Sequence, residues 1–295
     1  MRKVLSLLLC GLLVMGSLAG CTTEQKDMPE PEPGQEENSN EENDVSSITI
    51  STGDAAPEYA ETLETDVLVL GGGGAGLTSA LTAAENSKNV ILAEKLGYLG
   101  GATLLSGGIV PAAETNQQKE AGIIDNQDLF ARDIFRPNSY SVRKDLVYTV
   151  TENAKNVIEW LEEQGVVMSL ITNNLYYGQS NYRMHIAEGG GQGMTTVLID
   201  NANKNDNIEI MLNSPAIELA VEDGQVIGAF VKRDKDETIL IKAENTVLCT
   251  SGFGANKEML EEYIPEMINA FPYVAPGATG EGIIWGQIDN IRNHS

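Results

Sequence analysis

Basic and aromatic residues are scarce in this 295-residue chain: 19 Lys and Arg stand against 43 Asp and Glu, and aromatics make up 5%. The resulting formal charge of −24 repels phosphate backbones and anionic headgroups, which argues against nucleic-acid binding and electrostatic docking on a membrane. Three cysteines, Cys10, Cys21 and Cys249, are too few for a disulfide framework, and they lack the spacing of a zinc site. No C-x-x-C-H segment is present to attach a haem. The longest apolar run, Val4 to Met15, is broken by Ser6 and Gly11 and is too short for an ordinary membrane span. What the chain does have is glycine, 30 residues of it, as required where backbone turns tightly or must come close to a ligand. Its length and 42% hydrophobic content allow one large domain or two modest ones.

Arg2 and Lys3 precede the apolar run, and Gly16-Ser17-Leu18-Ala19-Gly20 adds small residues, the order of a secretory signal over residues 1–20. Leu18-Ala19-Gly20-Cys21 resembles the bacterial lipobox, which implies a diacylated Cys21, an exported protein and a lipid anchor on the outer face of the cell membrane. Thr22 to Asp66 holds fourteen acidic residues and one basic residue, Lys26. Self-repulsion and few apolar residues make most of that stretch, residues 21–62, an extended disordered linker. The folded part is then expected over residues 63–295, with Cys249 as its one thiol and no internal disulfide.

Asp66-Val67-Leu68-Val69-Leu70 reads as a buried parallel strand, and Leu77 to Asn86, rich in alanine and leucine, reads as a helix. Between them Gly71, Gly73 and Gly76 supply a G-x-G-x-x-G frame. The first glycine permits the turn, the second lets backbone approach a pyrophosphate, and the third lets helix pack on sheet. Gly74 and Ala75 open the helix, whose N–H groups and dipole receive phosphate charge. Val90-Ile91-Leu92-Ala93 is a second strand, and Glu94 at its tip can accept from both ribose hydroxyls of an adenosine. Strand, turn, helix, strand and acid in this order make a dinucleotide-binding fingerprint. A second glycine-rich segment, Gly100 to Gly108, favours FAD over NAD, because the isoalloxazine must extend along the sheet over small residues.

From Val67 to Gly108 the chain resembles the flavoprotein family of fumarate reductase and succinate dehydrogenase, in its soluble, flavocytochrome-c-type branch. The segments Gly100-Gly101-Ala102-Thr103 and Ser106-Gly107-Gly108 carry the likeness. Downstream, Cys249-Thr250-Ser251-Gly252-Phe253 is similar to the family's A-T-G-G-F, with a serine in place of one glycine. Thr279-Gly280-Glu281-Gly282 resembles its T-G-D-G, whose acid helps to hold the flavin. The resemblance, which spans roughly Thr65 to Gln287, implies an FAD site built from the Gly71–Gly76 turn, Glu94, Lys95, Gly100, Gly101, Ala102, Thr103, Ser106, Gly107, Gly108, Ala216, Thr250, Ser251, Gly252 and Glu281. The implied fold is α/β, a two-dinucleotide-binding, glutathione-reductase-like domain with a parallel Rossmann-type sheet and an inserted antiparallel meander. That meander is expected from four runs, Ile208 to Leu212, Ala216 to Val221, Val226 to Val231 and Thr238 to Lys242.

Lys144 to Glu163 reads as an amphipathic helix ending before Gly165, with Trp160 as a core residue. Arg183-Met184-His185 followed by Gly189 to Gly193 resembles a family passage near the flavin and suggests a second backbone approach to it. His185 alone reads as structural, and Cys249 as an inert buried thiol. The family's capping domain, with its catalytic arginine and histidines, has no counterpart here, so no residue is assigned a catalytic role. The activity implied is hydride transfer between flavin N5 and a C=C or CH–CH bond of a small unsaturated carboxylic acid. Its electron donor would be external, an FMN, haem or quinone-linked protein. A catalytically incomplete flavin-binding fragment and a solute-binding lipoprotein stay open as alternatives.

Overall fold

In a computed structural model, residues 56–233, 237–271 and 273–287 are described. The signal segment, Cys21 and most of the acidic linker lie outside the described residues. The fold begins with β1 (Thr62–Leu70), α1 (Gly74–Glu85), β2 (Val90–Ala93) and the short α2 (Gly101–Leu104). It continues through β3 (Ile109–Pro111), α3 (Asn116–Glu120), α4 (Gln127–Phe135), α5 (Lys144–Glu163), β4 (Met168–Leu170), β5 (Met184–Ala187) and α6 (Gly190–Asn203). Then come β6 (Ile208–Met211), β7 (Ala216–Glu222), β8 (Gln225–Arg233), β9 (Glu237–Leu248), α7 (Lys257–Tyr263) and α8 (Glu281–Trp285).

Six strands form the main sheet in the order β6-β2-β1-β9-β8-β7. The first four run parallel, β8 adds on antiparallel to β9, and β7 antiparallel to β8. Strand β2 and the end of β1 are buried on both faces, which is why they read as continuous apolar runs. Val69 and Leu92 face one core with Leu77, Leu81, Phe130, Ile158 and Leu198. Leu68, Leu70, Ile91 and Ala93 point to the other, with Leu219, Val231, Ile239, Ile241 and Trp285. A second sheet of three short strands, β3-β5-β4, is wholly antiparallel.

The expected meander needs two corrections. The Ile208 run is not part of it: β6 pairs parallel with β2, from Ile208 opposite Val90 to Met211 opposite Ala93. Its contribution is to widen the nucleotide-binding half of the sheet. The Thr238 run continues unbroken to Leu248 as one strand, β9, whose first half lies between β1 and β8. Beyond Lys242 only β1 accompanies it, so the partly exposed Ala243-Glu244-Asn245 segment looks like a break in the sequence without being one.

Helix α5 matches its predicted span. Its buried stripe is Val147, Thr151, Ala154, Ile158 and Leu161, whereas Leu146, Val150 and Val157 are exposed. Trp160 is only partly buried, and its indole N–H donates to Glu85 at 3.2 Å.

Candidate cofactor site

The C-terminal ends of β1, β2 and β9 converge on a cleft of about 460 Å3. In open α/β sheets this edge is where ligands bind. Gly71 leaves β1 at φ 105°, and its N–H donates to the Ala93 carbonyl at 2.8 Å. A Cβ at Gly71 would collide with the Cys249 carbonyl, and one at Gly76 with the carbonyl oxygen of Gly71. These two glycines are therefore explained by the protein's own packing. Gly73 is different: its φ is −75°, and a Cβ there would meet nothing nearer than 3.8 Å. The space over Gly73 is open, as it must be where a bound pyrophosphate lies against the backbone.

Helix α1 begins next to that space, with Gly73 as N-cap, no capping side chain and no acidic residue in its first turn. Its free N–H groups and positive dipole end supply the anion-binding character of the cleft. Side-chain cations do not. Lys95 is the one cation lining the cleft among the described residues, and its ammonium is tied to Glu281 Oε1 at 2.8 Å and to the Thr279 hydroxyl. Burial works to raise the Glu281 carboxyl, but hydrogen bonds from Lys95 and Thr279 outweigh it and hold the group below the usual carboxylate range.

Glu94 closes β2 and is buried. Its Oε2 accepts the Gly72 N–H at 2.7 Å and its Oε1 the Leu96 N–H at 2.8 Å. Both oxygens are fixed beside the β1–α1 turn, and each keeps acceptor capacity for a ribose hydroxyl. The Gly100 N–H donates to the Gly72 carbonyl at 2.8 Å, drawing the second glycine segment against the first. Thr103 from α2 then packs over Gly74.

Of the residues the sequence nominates, Gly71, Gly73, Gly74, Ala75, Glu94, Lys95, Gly101, Ala102, Thr103, Ala216, Thr250, Ser251 and Glu281 line the cleft. Gly76, Gly100, Ser106, Gly107, Gly108 and Gly252 are not among its walls. Gly108 instead packs on the backbone of Gly190 and Gly191, and Gly191 on the carbonyls of Thr103 and Ser106. The Gly189–Gly193 run therefore stands behind the Thr103–Gly108 loop and supports it rather than facing the cleft. Glu281, read from the family as a flavin contact, is bonded to Lys95, the residue after Glu94.

The cleft also contains residues that no motif announced, among them Leu96, Ala275, Ile283 and Trp285. They come from sequence-distant segments that return to the same sheet edge. Burial pushes the Cys249 thiol up, against a weak contact from the Ser79 hydroxyl at 3.9 Å. Ser251 adopts φ 65°, the left-handed region that favours the glycine found there in the resembling family.

His185 is fully buried on β5 and does not line the cleft. Burial lowers its pKa, and its ring lies 3.0 Å from the Arg183 carbonyl through Nδ1 and 2.9 Å from the Thr115 hydroxyl through Nε2. A neutral ring satisfies both, with Nδ1–H donating and Nε2 accepting. Arg183 is likewise buried, forked onto Asp125 at 2.7 and 2.9 Å, bonded to Asp133 at 2.7 Å, and lying 5.0 Å over the Phe130 ring. Sequence gives no sign of this network, because its charges are far apart along the chain.

Among the described residues no group of His, Cys, Asp and Glu is placed to hold a metal ion. No described helix is long and apolar enough to cross a membrane.

Comparison with known proteins agrees with this geometry. Residues 66–293 match the family model described as FAD binding domain. A urocanate reductase of Eggerthella lenta is 38% identical over 233 residues, covering 77% of this chain and 38% of the relative. A fumarate reductase (cytochrome) of Shewanella frigidimarina is 32% identical over 222 residues, covering 74% and 38%. The open conformation of a flavocytochrome c3 fumarate reductase superposes with a TM-score of 0.71 at 32% identity, covering 77% of this chain and 40% of that one. A 3-ketosteroid-Δ4-(5α)-dehydrogenase from Rhodococcus jostii, at 22% identity and a TM-score of 0.69, shares the fold. The chain thus spans about two fifths of the length of these two curated relatives. With an open space over Gly73, an uncapped helix end and a buried acid beside the turn, this chain is a member of the FAD binding domain family, with FAD as its cofactor.

Proposed function

We propose that the chain is an exported, lipid-anchored FAD-dependent oxidoreductase of fumarate-reductase type. Its reaction is hydride transfer between flavin N5 and a C=C or CH–CH bond of a small carboxylic acid such as fumarate or urocanate. The observation that carries the flavin part is the cleft itself, where Gly73 is open although nothing in the protein's own packing demands a glycine. Substrate class rests on the relatives, a urocanate reductase and fumarate reductases. Export and the anchor rest on the signal-like residues 1–20 and Cys21.

Once bound, FAD supplies the hydride-transfer chemistry, and the protein's part is positioning and electrostatics. The turn at Gly71 and the first turn of α1 hold the diphosphate. Glu94 orients the adenosine ribose, and the Gly101–Thr103 segment supplies small residues for the path towards the flavin end. No arginine or histidine lines the cleft among the described residues, and its one cation, Lys95, is committed to Glu281 and Thr279. That observation favours a second reading, a flavin-binding module without turnover of its own.

Expressing the full chain and recording its visible spectrum, then adding reduced viologen with fumarate or urocanate, separates the two. Flavin bands with acid-dependent dye oxidation support the first reading, and flavin bands without turnover support the second. A colourless protein that FAD does not turn yellow contradicts both.

A further inference from the structure

Trp285 is the last residue of α8, 1% exposed, and its indole N–H has no hydrogen-bond partner. A buried donor left unpaired costs free energy, and a core position that needed only bulk would be served by phenylalanine without that cost. The side chain also lines the cofactor cleft. Glu281 and Trp285 are four residues apart on α8, a spacing that puts them on one face of the helix, and both are cleft residues. Glu281 is bonded to Lys95, the residue after Glu94, so this helix adjoins the adenosine end of the cleft. Trp285 belongs to the same buried apolar cluster as Leu70 and Ala93, with Ala216 at its margin, and all three are cleft residues.

We propose that the Trp285 indole N–H is a nucleotide-binding donor, pairing with an acceptor on the adenosine half of the bound dinucleotide. The inference rests on the FAD reading of the cleft and adds a residue to it. Glu94 fixes the ribose hydroxyls, and Trp285 gives the adenosine end a directional hydrogen bond that an FMN-sized ligand does not use. Trp160, the chain's other tryptophan, already donates to Glu85 and provides an internal control.

With indole-15N-labelled protein, the two Nε1–H signals are assigned with Trp160→Phe. Added FAD or ADP shifts the Trp285 signal downfield and slows its exchange with solvent, whereas FMN leaves it in place and none of the three moves Trp160. Trp285→Phe keeps the ring and removes the donor. FAD binding then weakens roughly three- to tenfold, the worth of one hydrogen bond, with no change towards FMN. If FAD binds wild type but leaves the Trp285 signal and its exchange unaltered, the inference is overturned while the FAD reading stands. If wild type binds no FAD, the FAD reading falls first. The labelled wild-type spectrum decides the matter even where the phenylalanine variant does not fold.

Discussion

Ser251 occupies a backbone conformation at φ 65° that an L side chain adopts only at a cost, and it does so on the wall of the cleft. Ser251→Gly removes that cost, and its expected effect is a gain of about 1 kcal/mol in unfolding free energy, measured by urea denaturation. No change would mean that a local contact of the serine offsets the strain. Single residues of this kind were partly legible in the sequence. Gly71, Gly73, Gly76 and Glu94 announce themselves because their roles depend on near neighbours within one strand-turn-helix-strand unit. Ala275, Ile283 and Trp285 reach the same cleft from distant segments, and nothing local to them marks the destination.

Among the elements, the three-stranded sheet β3-β5-β4 was invisible in the sequence, since strands of three or four residues are too short to show a period of two. Its middle strand carries His185 and is preceded by Arg183, and both are held by buried polar partners. The His185 pKa lies below its ordinary value through burial, so the unfolded chain takes up the proton more readily than the folded one. That contribution to stability is complete above about pH 6.5 and diminishes as pH falls from there towards the folded value. Denaturant titrations at pH 7 and pH 5 should therefore show a drop for wild type that is smaller for His185→Gln. An equal drop in both would place the effect elsewhere.

Arg183 answers for two buried carboxylates. Asp133 is held below the usual carboxylate range: burial raises it, but hydrogen bonds from Ser180 and Arg183 outweigh that effect. Its share of stability persists above about pH 4 and is lost only as pH falls below that. Arg183→Met leaves Asp125 without its counter-ion and Asp133 with only the 3.7 Å pair to Arg136, with an expected loss of about 3–5 kcal/mol by the same titration at pH 7. A loss below 1 kcal/mol would show that water replaces the guanidinium.

For the whole molecule, strong negative charge and anionic cofactor binding look opposed. The structure pairs Lys95, the cation lining the cleft among the described residues, with Glu281, and the proposed site assigns the diphosphate to the uncapped N-terminus of α1. The fold class was legible because parallel strands buried on both faces leave a continuous apolar signature. The partition of β6 and β9 was not, because pairing direction is set by distant partners. The account as a whole depends on a dinucleotide lying over Gly73. FAD affinity of Gly73→Val, set beside wild type by equilibrium titration with thermal unfolding of the free proteins as a control, tests it most directly. The prediction is an unchanged apo melting temperature with FAD binding weakened about ten- to a hundredfold, the cost of forcing methyl groups into the diphosphate's place. An FAD affinity equal to wild type would contradict it.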